Sequence, residues 1–146
     1  MYAKPLIDYM NNNTVKAALN IPADAPQWDL CNDQINAKYE RSPLGSIDVY
    51  VALRKKYKVL VYSGDTDMAV PTYGTRDWID NQNWPIQKAW KQFMAGDQVG
   101  GYVETRDDGS FTFATIHGAG HMAPQWKRGP TYQVVFNFIN GKPIGA

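Results

Sequence analysis

Two pairs of side chains in this sequence are of types that move protons. The first is acidic. The apolar run KVLVYS, residues 58–63, ends in Gly64-Asp65-Thr66-Asp67, two carboxylates separated by one threonine. The second comprises the only two histidines of the chain, His117 and His121, on either side of Gly118-Ala119-Gly120. Imidazole titrates nearer physiological pH than any other side chain and is the usual general base. A carboxylate beside it holds one tautomer and stabilises the cation. Small residues at 118 to 120 let the backbone turn and present His121 at a loop tip. His117 closes a strand-like run and reads as a packed or surface residue. The two acids admit two readings: one faces a cleft, or both cap the loop and the following helix. No metal is expected, because two glycines interrupt the i, i+4 histidine spacing that suits helical ligands and no Glu is adjacent.

These groups need elements to carry them. KVLVYS is continuous, apolar and β-branched, which predicts a parallel strand covered on both faces. In open α/β sheets catalytic groups gather just beyond the carboxyl ends of strands, where Gly64 allows a tight exit. Residues 100–117, GGYVETRDDGSFTFATIH, predict two strands around a turn at Asp107-Asp108-Gly109. Helices are predicted over TYGTRDWID, residues 72–80, and TYQVVFNFIN, residues 131–140, the latter amphipathic and ended by Gly141. A short helix in residues 11–20 takes Asn13 as its N-cap. Another follows Ser42-Pro43, with Ile47, Val51 and Leu53 inward and a basic last turn. Residues 21–33, IPADAPQWDLCND, form a Pro-rich connection. The fold class is α/β, in one segment, 1–146, without a linker.

The 146 residues carry a net charge of +1, which gives no basic face for nucleic acid or an anionic membrane. No apolar run approaches the roughly 20 residues of a membrane span. The opening MYAKPLIDYM lacks the apolar core and small-residue site of a signal peptide. Asn12-Asn13-Thr14 is an N-glycosylation acceptor sequence, with Asn12 the candidate. The single cysteine, Cys31, is a buried thiol or half of a bridge whose partner lies elsewhere. A strand-end aspartate followed downstream by a histidine on a Gly-rich loop also matches the latter part of the order Ser…Asp…His in α/β-hydrolases.

Five stretches together carry a family likeness: VLVYSGDTDMAVP (59–71), TIHGAGHMAPQWKRGP (115–130), WDLCND (28–33), RSPLGSIDVYVALRKKYKVLVYSGDTD (41–67) and FNFINGKPI (136–144). Taken in chain order they resemble the C-terminal third of the serine carboxypeptidases, a family of lysosomal, vacuolar and plant enzymes. The resemblance implies the C-terminal portion of an α/β-hydrolase fold, a mixed and mostly parallel sheet flanked by helices and incomplete alone. It implies that Asp67 is the triad aspartate and His121 the triad histidine. Asp65, with Gly64 and Gly120, would support the loop. Met122 would border the leaving-residue subsite. Cys31 would pair with a cysteine upstream of this sequence.

The nucleophile is the departure. Nothing here matches G-x-S-x-G; the serines are Ser42, Ser46, Ser63 and Ser110, and Ser63 lacks a glycine two positions earlier. The serine is therefore expected on a larger chain of the same precursor, disulfide-linked through Cys31, and this chain alone is expected to be inactive. The resemblance further implies peptide substrates, no cofactor, a lysosomal, vacuolar or secreted location, and possible dimerisation of the assembled enzyme. The competing reading is a non-catalytic relative that uses this half of the fold for binding. Half a sheet cannot cover both its faces, so a large exposed apolar surface is expected. Met122, Trp126 and Trp84 are candidates for an apolar pocket or for packing.

Overall fold

The computed structural model describes residues 3–43 and 45–144, which divide into two units, one up to Gly45 and one from Ser46. The first holds three short helices: α1 (Lys4–Met10), α2 (Asn13–Ala18) and α3 (Asp33–Lys38). None buries a residue, and isolated helices this short are marginal in water. Side chains supply what packing does not. The Asn12 carboxamide accepts from Thr14 N at 2.8 Å, so Asn12, not Asn13, caps α2. The N-cap residue must keep extended backbone, and Asn12 does while Asn13 is already helical. Asn11 donates to Ile7 O and Trp28 O, and accepts from Trp28 N at 2.7 Å, stitching the Pro-rich connection to α1. Cys31 is exposed rather than buried.

The second unit contains α4 (Ile47–Leu53), β1 (Val59–Gly64), α5 (Thr72–Asp80), β2 (Ile86–Ala95), β3 (Gln98–Arg106), β4 (Phe111–Ile116), α6 (Ala123–Trp126) and α7 (Arg128–Ile139). The sheet order is β1-β4-β3-β2. β1 and β4 run parallel, in register from Val59 opposite Phe111 to Gly64 opposite Ile116. β3 pairs antiparallel with both β4 and β2. The β3–β4 turn has Asp107, Asp108 and Gly109 all at positive φ, the left-handed backbone that Asp and Gly tolerate best.

All six residues of β4 are buried. Phe111, Phe113, Ile79 and Trp84 form one cluster, and Phe93, Ala114, Ile116, Ala119, Ala123 and Val134 belong to another. Burying a phenylalanine contributes about 1.5–3 kcal/mol, so β4 is the strand the unit is built on. α7 ends in a Schellman motif: Lys142 N bonds Asn137 O, Gly141 N bonds Phe138 O, and Gly141 has φ +65°.

Two further expectations change, and the two readings of Trp84 are resolved. β1 is an end strand in this order, paired with β4 alone among the described strands and only partly buried. The helix after Pro43 is limited to α4, whose Leu53 is exposed and whose last turn holds no basic residue; Leu44 lies outside the described residues. Trp84 is core, packed on Phe111 at the start of β4, the opposite end of that strand from His117. Met68, Val70, Tyr73, Met122, Trp126 and Tyr132 are all more than half exposed, and they lie on loops and helices rather than on a sheet face.

Candidate active site

The loops that leave β1 and β4 lie side by side because those strands are parallel and end level, at Gly64 and Ile116. Cross-links extend the sheet beyond both ends. Asp65 N donates to Ile116 O at 3.2 Å. The Asp65 carboxylate takes Gly118 N on Oδ1 and His117 Nδ1 on Oδ2, each at 2.7 Å. Thr66 directs both its N–H and its hydroxyl at Ala119 O, at 3.0 and 2.8 Å. Asp67 Oδ2 meets His121 Nδ1 at 2.9 Å. The residues 65, 66 and 67 are thus matched in order to 117–118, 119 and 121.

Gly64 makes the approach possible. A Cβ there would overlap the carbonyl oxygens of both Ala119 and Gly120, so only glycine lets the second loop cross so close. Gly118, at φ +66°, supplies the turn that follows His117. Gly120 is buried beneath Trp126. Thr72 Oγ1 donates to Gly64 O at 2.8 Å and meets Ser63 Oγ at 2.8 Å, which closes the 65–71 loop onto the start of α5.

Asp67 is buried, while the His121 ring is 61% exposed. Asp67 Oδ1 accepts from Ala69 N at 2.7 Å and Val70 N at 3.1 Å, so one oxygen anchors the loop and the other faces the imidazole. The hydrogen bond from His121 holds the Asp67 pKa below its ordinary value; burial opposes this and the two backbone donors add to it. An ionised carboxylate only accepts. Nδ1 of His121 therefore carries a proton, and in the neutral ring Nε2 keeps its lone pair.

The structure brings Asp65, Asp67, His121, Gly64 and Gly120 together. Met122, next to His121, is 54% exposed. Ser63 is occupied at the base of α5, and no serine hydroxyl bonds His121 among the described residues. No group of three metal-ligating side chains occurs among the described residues. Two features were not anticipated. His117 is paired with Asp65; the cue was strand register, which places a residue one past β1 beside a residue one past β4. The other is a charge network behind α5. Arg106 Nε bonds buried Glu104 at 2.6 Å and a further Arg106 nitrogen bonds Asp80, while Arg76 approaches Glu104 at 3.6 Å. Burial alone would lower the Arg106 pKa, but Glu104 and Asp80 outweigh it and raise it.

Comparison with known proteins identifies the lineage. A family profile described as serine carboxypeptidase matches residues 2–141. The chain belongs to the serine carboxypeptidase family. Similar family members include the lysosomal protective protein of Mus musculus, 34% identical over 93% of this chain and 30% of that protein. Serine carboxypeptidase-like 5 of Arabidopsis thaliana is 41% identical, over 93% of this chain and 31% of its own length. The crystal structure of Kex1(delta)p, a prohormone-processing carboxypeptidase from Saccharomyces cerevisiae, superposes with a TM-score of 0.65 at 21% identity. It covers 90% of this chain and 30% of that one, and it shows the fold: part of the α/β-hydrolase sheet of a serine carboxypeptidase. The chain spans about a third or less of the length of these relatives.

Proposed function

We propose that residues 1–146 are the C-terminal part of an α/β-hydrolase domain and supply the Asp and His of a Ser–Asp–His carboxypeptidase triad. The observation that carries this reading is the Asp67–His121 pair at 2.9 Å, with the carboxylate held by two backbone N–H groups and Nε2 left as a base. The nucleophilic serine belongs to sequence outside this chain, on a larger chain of the same precursor, with exposed Cys31 the point of disulfide linkage. Alone, the chain lacks the nucleophile and is inactive.

In the assembled enzyme the serine Oγ attacks the carbonyl carbon of the last peptide bond, and His121 Nε2 takes the hydroxyl proton. Collapse of the tetrahedral intermediate breaks the C–N bond, and His121 returns that proton to the leaving amino group. Water then attacks the acyl ester, with His121 again as base, and releases the shortened peptide. Asp67 holds the tautomer and offsets the imidazolium charge throughout. Exposed Met122 contacts the leaving residue. A lysosomal, vacuolar or secreted compartment fits a disulfide at Cys31 and a glycan on exposed Asn12.

The test is mass spectrometry of blocked peptides incubated with the assembled protein, with and without a fluorophosphonate. Stepwise loss of C-terminal residues that the fluorophosphonate blocks is expected. Unaltered peptides would contradict the proposal and favour the binding-module reading.

A further inference from the structure

His117 has no part in the chemistry above, yet it makes one of the shortest side-chain contacts of the site. Its Nδ1 lies 2.7 Å from Asp65 Oδ2, while the other oxygen of that carboxylate takes Gly118 N at the same distance. The histidine's own N–H is spent on Gly100 O at 2.9 Å, so its backbone belongs to the sheet. Asp65 is equally fixed, through its N–H to Ile116 O. The pair therefore joins two rigid strand ends at the last point before the chain turns. Beyond it come Gly118 at φ +66°, Ala119 and Gly120, of which only Ala119 has a side chain, a methyl packed in the core, and then His121. Further out, that stretch is held by Ala119 N on Ile116 O at 3.3 Å, by the buried Ala119 methyl, by the two bonds from Thr66 to Ala119 O and by the Asp67 contact itself.

We infer that His117 is a positioning residue: its Nδ1–H, donated to Asp65, orients the carboxylate so that its second oxygen pins Gly118, and this fixes where the Gly118–Gly120 turn delivers His121. The inference rests on the reading of His121 as the triad base. An ionised Asp65 can only accept, so His117 is the donor in this contact. Lys127, whose side chain passes over Gly118, is the other charged group at this turn and adds a cation on the same side chain-poor segment. The His117 ring is 61% exposed, so the pair itself stabilises the fold little. Its consequence is geometric: small displacements of a catalytic group lower turnover far more than they lower stability.

The experiment compares kcat and KM for peptide hydrolysis by the assembled enzyme carrying His117→Ala, His117→Asn or no change, together with the thermal unfolding midpoint. Asparagine can place its amide nitrogen where Nδ1 stood, so it keeps the donor without the ring. His117→Ala is expected to lower kcat about tenfold with KM within about twofold, and His117→Asn to restore most of the loss. Asp65→Asn, which keeps an acceptor for Gly118 N and can donate to a neutral His117, is expected to fall by less than Asp65→Ala. Wild-type kcat in His117→Ala would overturn the inference, as would equal impairment of the alanine and asparagine variants. Fluorophosphonate-sensitive turnover by the unchanged enzyme is the separate control. Its absence would refute the triad reading, whereas its presence with unaffected variants would refute only the role of His117.

Discussion

Replacing Asp67 by asparagine separates the two tasks of that carboxylate. Oδ1 holds Ala69 N at 2.7 Å and Val70 N at 3.1 Å, and Oδ2 faces His121 Nδ1 at 2.9 Å. In Asp67→Asn the amide oxygen takes over the two backbone bonds, so the 65–71 loop keeps its shape. The amide nitrogen then faces the imidazole, and it can only donate. His121 must offer Nδ1 as acceptor, its proton moves to Nε2, and the base loses the lone pair that would take the serine proton. The imidazolium also loses its counter-charge. A loss in kcat of about 10⁴-fold is expected, the size of effect produced by the wrong histidine tautomer in other triads, with KM changed by about threefold at most. The assay is steady-state hydrolysis of a blocked dipeptide by the assembled enzyme, with folding checked by thermal unfolding. Asp67→Ala should match the loss in kcat and in addition lower the unfolding midpoint, because Ala69 N and Val70 N lose their acceptor. If Asp67→Asn kept more than about a tenth of the wild-type kcat, His121 would not depend on Asp67 for its tautomer and the assignment would fail.

Acid unfolding provides a second check. Asp67 has its pKa lowered in the fold, so its contribution to stability is present above the ordinary carboxylate value of about 3.8 and is lost as pH falls through the lower folded value. Unfolding midpoints of wild type and Asp67→Asn should therefore converge below about pH 4; a constant difference across that range would contradict a lowered Asp67 pKa. Gly64→Ala should destabilise the assembled protein by about 1–3 kcal/mol, because the new Cβ meets backbone oxygens that cannot swing aside; denaturant unfolding with an unchanged midpoint would show that the two loops are not so close. Arg106→Met leaves Glu104, 2% exposed, with only Arg76 at 3.6 Å, and should cost about 3–5 kcal/mol. Arg106→Met with Glu104→Leu should recover part of this, and failure to do so in denaturant titrations would mean that the pair acts by shape rather than charge.

Much of the site was legible because its cues are local. An apolar run stopping at Gly64 marks a strand end, and glycines around Ala119 mark a tight turn, so an Asp and His121 could be placed from residue type and order, while the choice of Asp67 over Asp65 came from the family resemblance. The final helix was legible through its periodicity and Gly141. β2 was not. Its sequence, IQKAWKQFMA, is rich in Lys, Gln, Met and Ala, which favour helix, and most of the strand is exposed. Pairing with β3 decides its conformation, and that is a non-local fact. Asn12 took the cap from Asn13 for a smaller reason: in a run of three asparagines, type alone does not select the position. His117 shows the limit most clearly. Its partner lies 52 positions earlier, and only the level ending of two parallel strands brings them together. β1 looked like a central strand from its apolar run, whereas here it pairs on one side only and is half covered.

On the triad reading, His121 activates a serine located outside this chain. The most direct measurement of this is the rate at which a fluorophosphonate labels the assembled protein, with the labelled peptide identified by mass spectrometry. The account predicts a single modified serine in the sequence beyond these 146 residues, labelled at least about 10³-fold more slowly when His121→Ala is introduced. Labelling of Ser42, Ser46, Ser63 or Ser110, or an unchanged rate in the His121→Ala protein, would contradict it.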